Sequence, residues 1–150
     1  MRSFISENDI EQAVLDKLGK APFNYDILRC DPDPSKREDM NDGTKRASKR
    51  ECVLPDVLFQ SLKRLNPDIA EEHILETVKE LRKDFTATDI VSTNYNLYNR
   101  IRNGFQITVR QDGNEDFTLL RLIDFSEPQN NNLTAVSQMW VQGKVYFRRP

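Results

Sequence analysis

Histidine occurs once in this chain and cysteine twice, and those scarcities close off several chemistries before any motif is sought. His73 sits on a charged helix face beside Glu71 and Glu72, with no second histidine or close cysteine to complete a structural zinc site. Cys30 and Cys52 flank a hydrophilic stretch without metal-ligand spacing and read as a reduced pair in a cytoplasmic protein. No apolar run approaches the roughly 18 residues of a membrane span. The opening MRSFISENDIEQ also lacks the apolar core of a signal peptide, so the expectation is a soluble, cytoplasmic protein with no membrane partner. Charge of one sign is lacking too. Lys and Arg number 22 against 24 Asp and Glu, a net charge of −2, which gives no global basic field to draw nucleic acid. Any DNA contact must come from a local patch or from a larger parent protein. Phosphate loops of the GxxxxGK[ST] kind, GxSxG and HExxH are all missing, and no sequence-local pair of carboxylates suggests acid–base work.

What is present describes a globular chain. With 150 residues, 37% hydrophobic and 31% charged, there is enough material for one core and too little for two comfortable ones, so residues 1–150 are expected to form a single domain. Ser6 opens a first helix running to Leu18, with Ser6-x-x-Asp9 resembling a capping box and Gly19 ending it. Ile10, Val14, Leu15 and Leu18 form its apolar stripe, and Glu11 lies at the edge of that stripe. Phe23–Leu28 has the composition of a short strand. The segment 31–51, with its prolines and mixed charges, has nothing to bury and reads as a mobile polar loop. A basic patch at Lys45-Arg46 and Lys49-Arg50 is the alternative there, diluted by Glu38, Asp39, Asp42 and Glu51.

Pro55 begins a second helix with the stripe Val57, Leu58, Leu62 and Leu65. Asn66 is then expected to cap a third helix whose first residue is Pro67 and whose stripe is Ile74, Leu75, Val78, Leu81 and Phe85. The two should pair as a hairpin. Thr88–Asn103 reads as a fourth helix; its Tyr95 and Tyr98 can either stack on bases or pack on a sheet. From Phe105 the period becomes alternating. Phe105, Ile107 and Val109 form a half-buried strand, Asp112-Gly113-Asn114 turns, and Phe117–Ile123 returns. Leu133–Val141 and Val145–Phe147 follow across Gln142-Gly143-Lys144. The fold class is α+β: N-terminal helices, then a mostly antiparallel sheet.

The ordered set Asn66-Pro67-Asp68, Gly104-Phe105-x-Ile107, Leu122-Ile123-Asp124-Phe125-x-x-Pro128-x-x-Asn131, Val136-x-Gln138 and Arg149-Pro150 resembles the N-terminal domain of the restriction (R, or motor) subunit of type I restriction-modification enzymes. The Leu-Ile-Asp-Phe to Gln run is its most specific part, and Ser6–Glu11 also fits the first helix of that family. The resemblance implies an incomplete restriction-endonuclease-like domain of the PD-(D/E)xK type. It implies a metal-binding Asp and a Glu-x-Lys following Pro150, so that the core of the site is not within the chain. It implies Mg²⁺ and ATP for the full-length protein and none bound to this fragment. DNA and the methylation and specificity subunits are the implied partners.

Within the chain, Glu11 is the one candidate metal-site residue, since first-helix glutamates in such nucleases can lie near the metal; stabilising the helix dipole is its ordinary alternative. Gln138 is expected to support the sheet leading to the site, with a DNA contact as its alternative. Lys144, Arg148 and Arg149 form a small basic cluster suited to DNA phosphates, or simply to keeping a strand end solvated. On this basis the fragment alone is inactive, and its unfinished sheet invites a strand-exchanged homodimer. A non-catalytic docking module that binds partner subunits or DNA is the competing expectation.

Overall fold

A computed structural model describes residues 5–30, 42–83, 89–111, 114–142 and 147–148. In chain order its elements are α1 (Glu7–Leu18), β1 (Asp26–Arg29), α2 (Pro55–Leu65), α3 (Glu71–Leu81), α4 (Ile90–Asn103), β2 (Phe105–Gln111), β3 (Asn114–Leu120), a 3-10 turn (Pro128–Asn130), β4 (Thr134–Ser137), β5 (Val141–Gln142) and β6 (Phe147–Arg148). Helix and strand are thus mixed in one chain, as expected. The chain divides into two compact units, Met1–Arg50 with Asn132–Pro150, and Glu51–Asn131. Among the described residues no helix is long and apolar enough to cross a membrane.

In the first unit α1 starts where its cap dictates. Ser6 Oγ accepts from the Asp9 amide at 3.1 Å, and the Ser6 amide donates to Asp9 Oδ2 at 3.0 Å, the reciprocal pair of a capping box. The hydrogen bond from Ser6 draws the Asp9 carboxyl below its ordinary pKa. The inward face of the helix differs from the expected stripe. Ile10 and Val14 are exposed, whereas Leu15 is buried and Glu11 and Leu18 are half-buried. β1 pairs in parallel with β4, from Asp26 opposite Thr134 to Arg29 opposite Ser137, so the strand begins later than Phe23 and one sheet is not antiparallel. The expected strand Leu133–Val141 is two pieces, because Gln138 between β4 and β5 has φ +58°. That left-handed geometry breaks a ladder. β5 pairs antiparallel with β6.

The polar stretch read as having nothing to bury is partly folded; residues 31–41 lie outside the described residues. Asp42, Thr44 and Arg46 are each at most 3% exposed. Arg46 Nη2 meets Asp42 Oδ2 at 3.2 Å, its Nε donates to Thr44 Oγ1 at 2.9 Å, and its Nη1 donates to the Trp140 carbonyl at 2.8 Å. Lys49 Nζ lies 5.1 Å from the centre of the Trp140 ring. Arg46 and Lys49 of the alternative basic patch are thus engaged within the chain, and a guanidinium with a carboxylate and two further acceptors can be buried at tolerable cost.

The second unit holds the larger apolar cluster: Leu62, Ile74, Val78, Phe105 and Leu120 are buried, with Leu58, Phe59, Ile69, Leu81, Ile107 and Leu122 packed on them. It joins the α2–α3 hairpin to one face of the β2–β3 hairpin, whose register runs from Phe105 opposite Leu120 to Gln111 opposite Asn114. Asp112 and Gly113, the expected turn, lie outside the described residues, as do Phe85 and Thr88. The expected return strand Phe117–Ile123 stops at Leu120.

Asn66 corrects the helix boundary. α3 begins at Glu71 after Ala70, and Asn66 instead closes α2. Its Nδ2 donates to the Leu62 and Arg121 carbonyls, both at 2.8 Å, while its Oδ1 accepts from the Arg121 amide at 2.7 Å. A side-chain amide here copies one rung of a β-ladder. α4 starts on an Asp89 cap, yet it buries no residue: Tyr95 and Tyr98 are 65% and 56% exposed, so they do not pack on a sheet. Gly104 ends α4 with φ +93°, and a Cβ there would lie 2.9 Å from Leu119 Cγ and the Leu120 carbonyl. Only glycine suits that junction.

Candidate functional site

The first unit brings together two residues singled out from opposite ends of the sequence. α1 turns Glu11 inward with Leu15, and β4 ends at Ser137 just before the left-handed Gln138. Ser137 Oγ donates to Glu11 Oε1 at 2.7 Å, and Gln138 Nε2 donates to Glu11 Oε2 at 2.7 Å. Both carboxylate oxygens are thereby oriented. Arg29 ties β1 to the same helix, donating to Gln12 Oε1 at 2.6 Å and lying 3.8 Å from Asp16. Ser137 is the member that pattern reading missed. It occupies the unspecified place in Val136-x-Gln138 and is the last residue of β4, opposite Arg29.

Three side-chain atoms of this segment are buried with no hydrogen-bond partner among the described residues: Thr134 Oγ1, Gln138 Oε1 and Trp140 Nε1. Because Gln138 commits its amide nitrogen to Glu11, its amide oxygen is left as an open acceptor. One carboxylate and one amide oxygen have the character of ligands for a hard cation such as Mg²⁺, but not the number. No group of three His, Cys, Asp or Glu able to hold a metal occurs among the described residues.

Lys144 and Arg149 of the expected basic cluster lie outside the described residues. Arg148 is placed only through its backbone, opposite Val141 in β6.

The second unit carries another ordered polar centre, the Leu-Ile-Asp-Phe turn. Asp124 Oδ1 accepts from the Ser126 amide at 3.0 Å and the Glu127 amide at 3.1 Å; its Oδ2 accepts from Asn130 Nδ2 at 3.0 Å and Arg121 Nη1 at 3.3 Å. Asn131 closes the turn from the other side, accepting from the Asp124 amide and donating to its carbonyl, both at 2.8 Å. The Asn130 amide first, then the Glu127 and Ser126 amides and the Arg121 charge, hold the Asp124 carboxyl below its usual range against the opposing effect of burial. The motif is thus a self-bonded turn in which Asp124 is the hub.

The family model described as type I restriction enzyme R protein N terminus matches residues 4–150. The chain is 27% identical over 146 residues to the type I restriction enzyme HindI endonuclease subunit of Haemophilus influenzae, covering 97% of this chain and 13% of that protein. It is 27% identical over 150 residues to the MjaIXP endonuclease subunit of Methanocaldococcus jannaschii, assigned by its name to type I restriction enzymes, covering 94% of this chain and 13% of that protein. The chain therefore spans 13% of the length of each of these relatives. No solved structure matches the chain significantly.

Proposed function

This chain belongs to the family of type I restriction enzyme R protein N termini, and from that membership we propose that it forms the first part of a restriction-endonuclease-like domain in a DNA-cleaving R subunit. In this proposal the longer protein acts in the cytoplasm with methylation and specificity subunits, cutting DNA after ATP-driven translocation. The catalytic Asp and Glu-x-Lys of the family follow Pro150. Mg²⁺ held by those carboxylates would lower the pKa of a bound water and offset phosphate charge.

Glu11 then stands beside the metal-binding carboxylates, oriented by Ser137 and Gln138, while Lys144, Arg148 and Arg149 contact DNA phosphates. The observation that supports the placement of Glu11 is the pair of 2.7 Å bonds joining it to Ser137 and Gln138, because it ties the first helix to the Val136-x-Gln138 segment of the family motif.

The test uses the R subunit containing this chain, assembled with its methylation and specificity subunits on unmodified plasmid with ATP and Mg²⁺. Cleavage is expected, falling at least tenfold in Glu11→Ala, while the purified 150-residue chain leaves the plasmid intact. Intact plasmid in the full assembly, with the subunits still bound, would instead favour the docking module. Nicking by the short chain that disappears in Glu11→Ala would overturn the placement of the catalytic residues after Pro150.

A further inference from the structure

The second unit contains an open polar groove of about 390 Å³, lined by Arg64 and Leu65 at the end of α2, Arg121 after β3, and Asp124, Gln129 and Asn130 of the turn. We infer that this groove holds a backbone phosphodiester of DNA between the guanidinium groups of Arg64 and Arg121. Each arginine is tethered by the turn. Arg64 Nη2 donates to the Asn130 carbonyl at 2.5 Å and Arg121 Nη1 to Asp124 Oδ2 at 3.3 Å.

Those bonds use one of the five N–H donors on each guanidinium, and the Arg121 side chain is 60% exposed. The fork geometry of what remains suits phosphate oxygens. Asp124 does not cancel the site. Its side chain is 7% exposed and its two oxygens already accept four hydrogen bonds, so it serves to orient Arg121. It does set the charge: two guanidiniums less one carboxylate leave a single positive charge. That matches the one negative charge of a phosphodiester better than the several of a nucleoside triphosphate. The choice of DNA as the source of that diester rests on the function proposed above; the groove itself lies in the other unit from Glu11.

The experiment is fluorescence anisotropy of a labelled DNA duplex with the whole chain in EDTA, so that binding is scored without cleavage. Arg64→Gln combined with Arg121→Gln is expected to weaken binding about tenfold and, because both hold one phosphate, to reduce the slope of log affinity against log salt by about one. Gln129→Glu, which adds a negative charge to the groove at an exposed position, is expected to weaken binding as well and decides the matter alone if the double variant fails to fold. Unchanged affinity in the folded variants, or no binding by the parent chain, would overturn the inference. So would displacement of the duplex by sub-millimolar ATP, which would assign the groove to a nucleotide. Loss of binding here leaves the cleavage assay standing, and an uncut plasmid there leaves this groove standing.

Discussion

Asp124 shows at the scale of a single residue why a motif can be legible in a sequence while its purpose is not. Its neighbours Phe125, Pro128 and Asn131 could be read as a strand end and a polar turn, but the spacing does not reveal that one carboxylate gathers four donors. The consequence is a dependence on acid. The carboxyl is held below its ordinary value in the folded chain, whereas in the unfolded chain it titrates near 3.9. The unfolded state therefore binds more protons around that pH, and stability rises with pH there. The contribution of Asp124 is complete above about pH 5 and is lost as the pH falls through the folded value. Urea denaturation should show Asp124→Asn less stable than the parent at pH 7, with the gap narrowing toward pH 3. A gap that stays constant over that range would refute the assignment. Glu11 and Gln138 were legible in the same partial way: both could be named from the sequence, but their bond depends on the positive φ at Gln138, which no periodicity encodes.

Whole elements were more readable than the faces they present. Apolar spacing located all four described helices, because that signal is local, whereas capping set the start of α1 correctly but not that of α3. The inward face of α1 departs from the apolar stripe because Ser137 at the end of β4 and Gln138 just after it donate to the Glu11 carboxylate, which offsets the cost of turning it inward, so Ile10 and Val14 face out. The same physics misled the reading of 42–46. A lysine- and arginine-rich stretch looks solvated unless its acceptors are known, and one of those acceptors, the Trp140 carbonyl, is far away in sequence. Arg46→Ala should accordingly act as a core mutation. It would leave Asp42 buried without its guanidinium, costing about 3–5 kcal/mol, read as an earlier denaturation midpoint for the Trp140 fluorescence. Burial pushes the Asp42 carboxyl up, but the Thr44 bonds and Arg46 together bring it below its ordinary value, so the ion pair persists at neutral pH. A change within 0.5 kcal/mol, ordinary for a surface site, would mean that the stretch is solvated after all.

At the scale of the whole molecule, the described strands form three two-stranded sheets, and no third strand joins any of them among the described residues. A two-stranded sheet is marginal alone and presents open edges on which another chain can add. β1 and β4 are short, four residues each, which blunts their edges. β2 and β3 are seven residues each, and the outer face of their hairpin carries Phe117 and Leu119, 69% and 59% exposed. Asp116 on the same hairpin sets like charges against each other between copies, so association should depend on salt as well as on concentration. Association of two copies through those edges is then a measurable expectation. Light scattering on the eluting chain should give a mass that climbs toward twice the monomer as concentration rises, sooner at high salt, and Phe117→Lys should delay the climb. A monomer at every concentration and salt would show that these edges do not pair between copies, and would rule out the homodimer while leaving the family membership untouched.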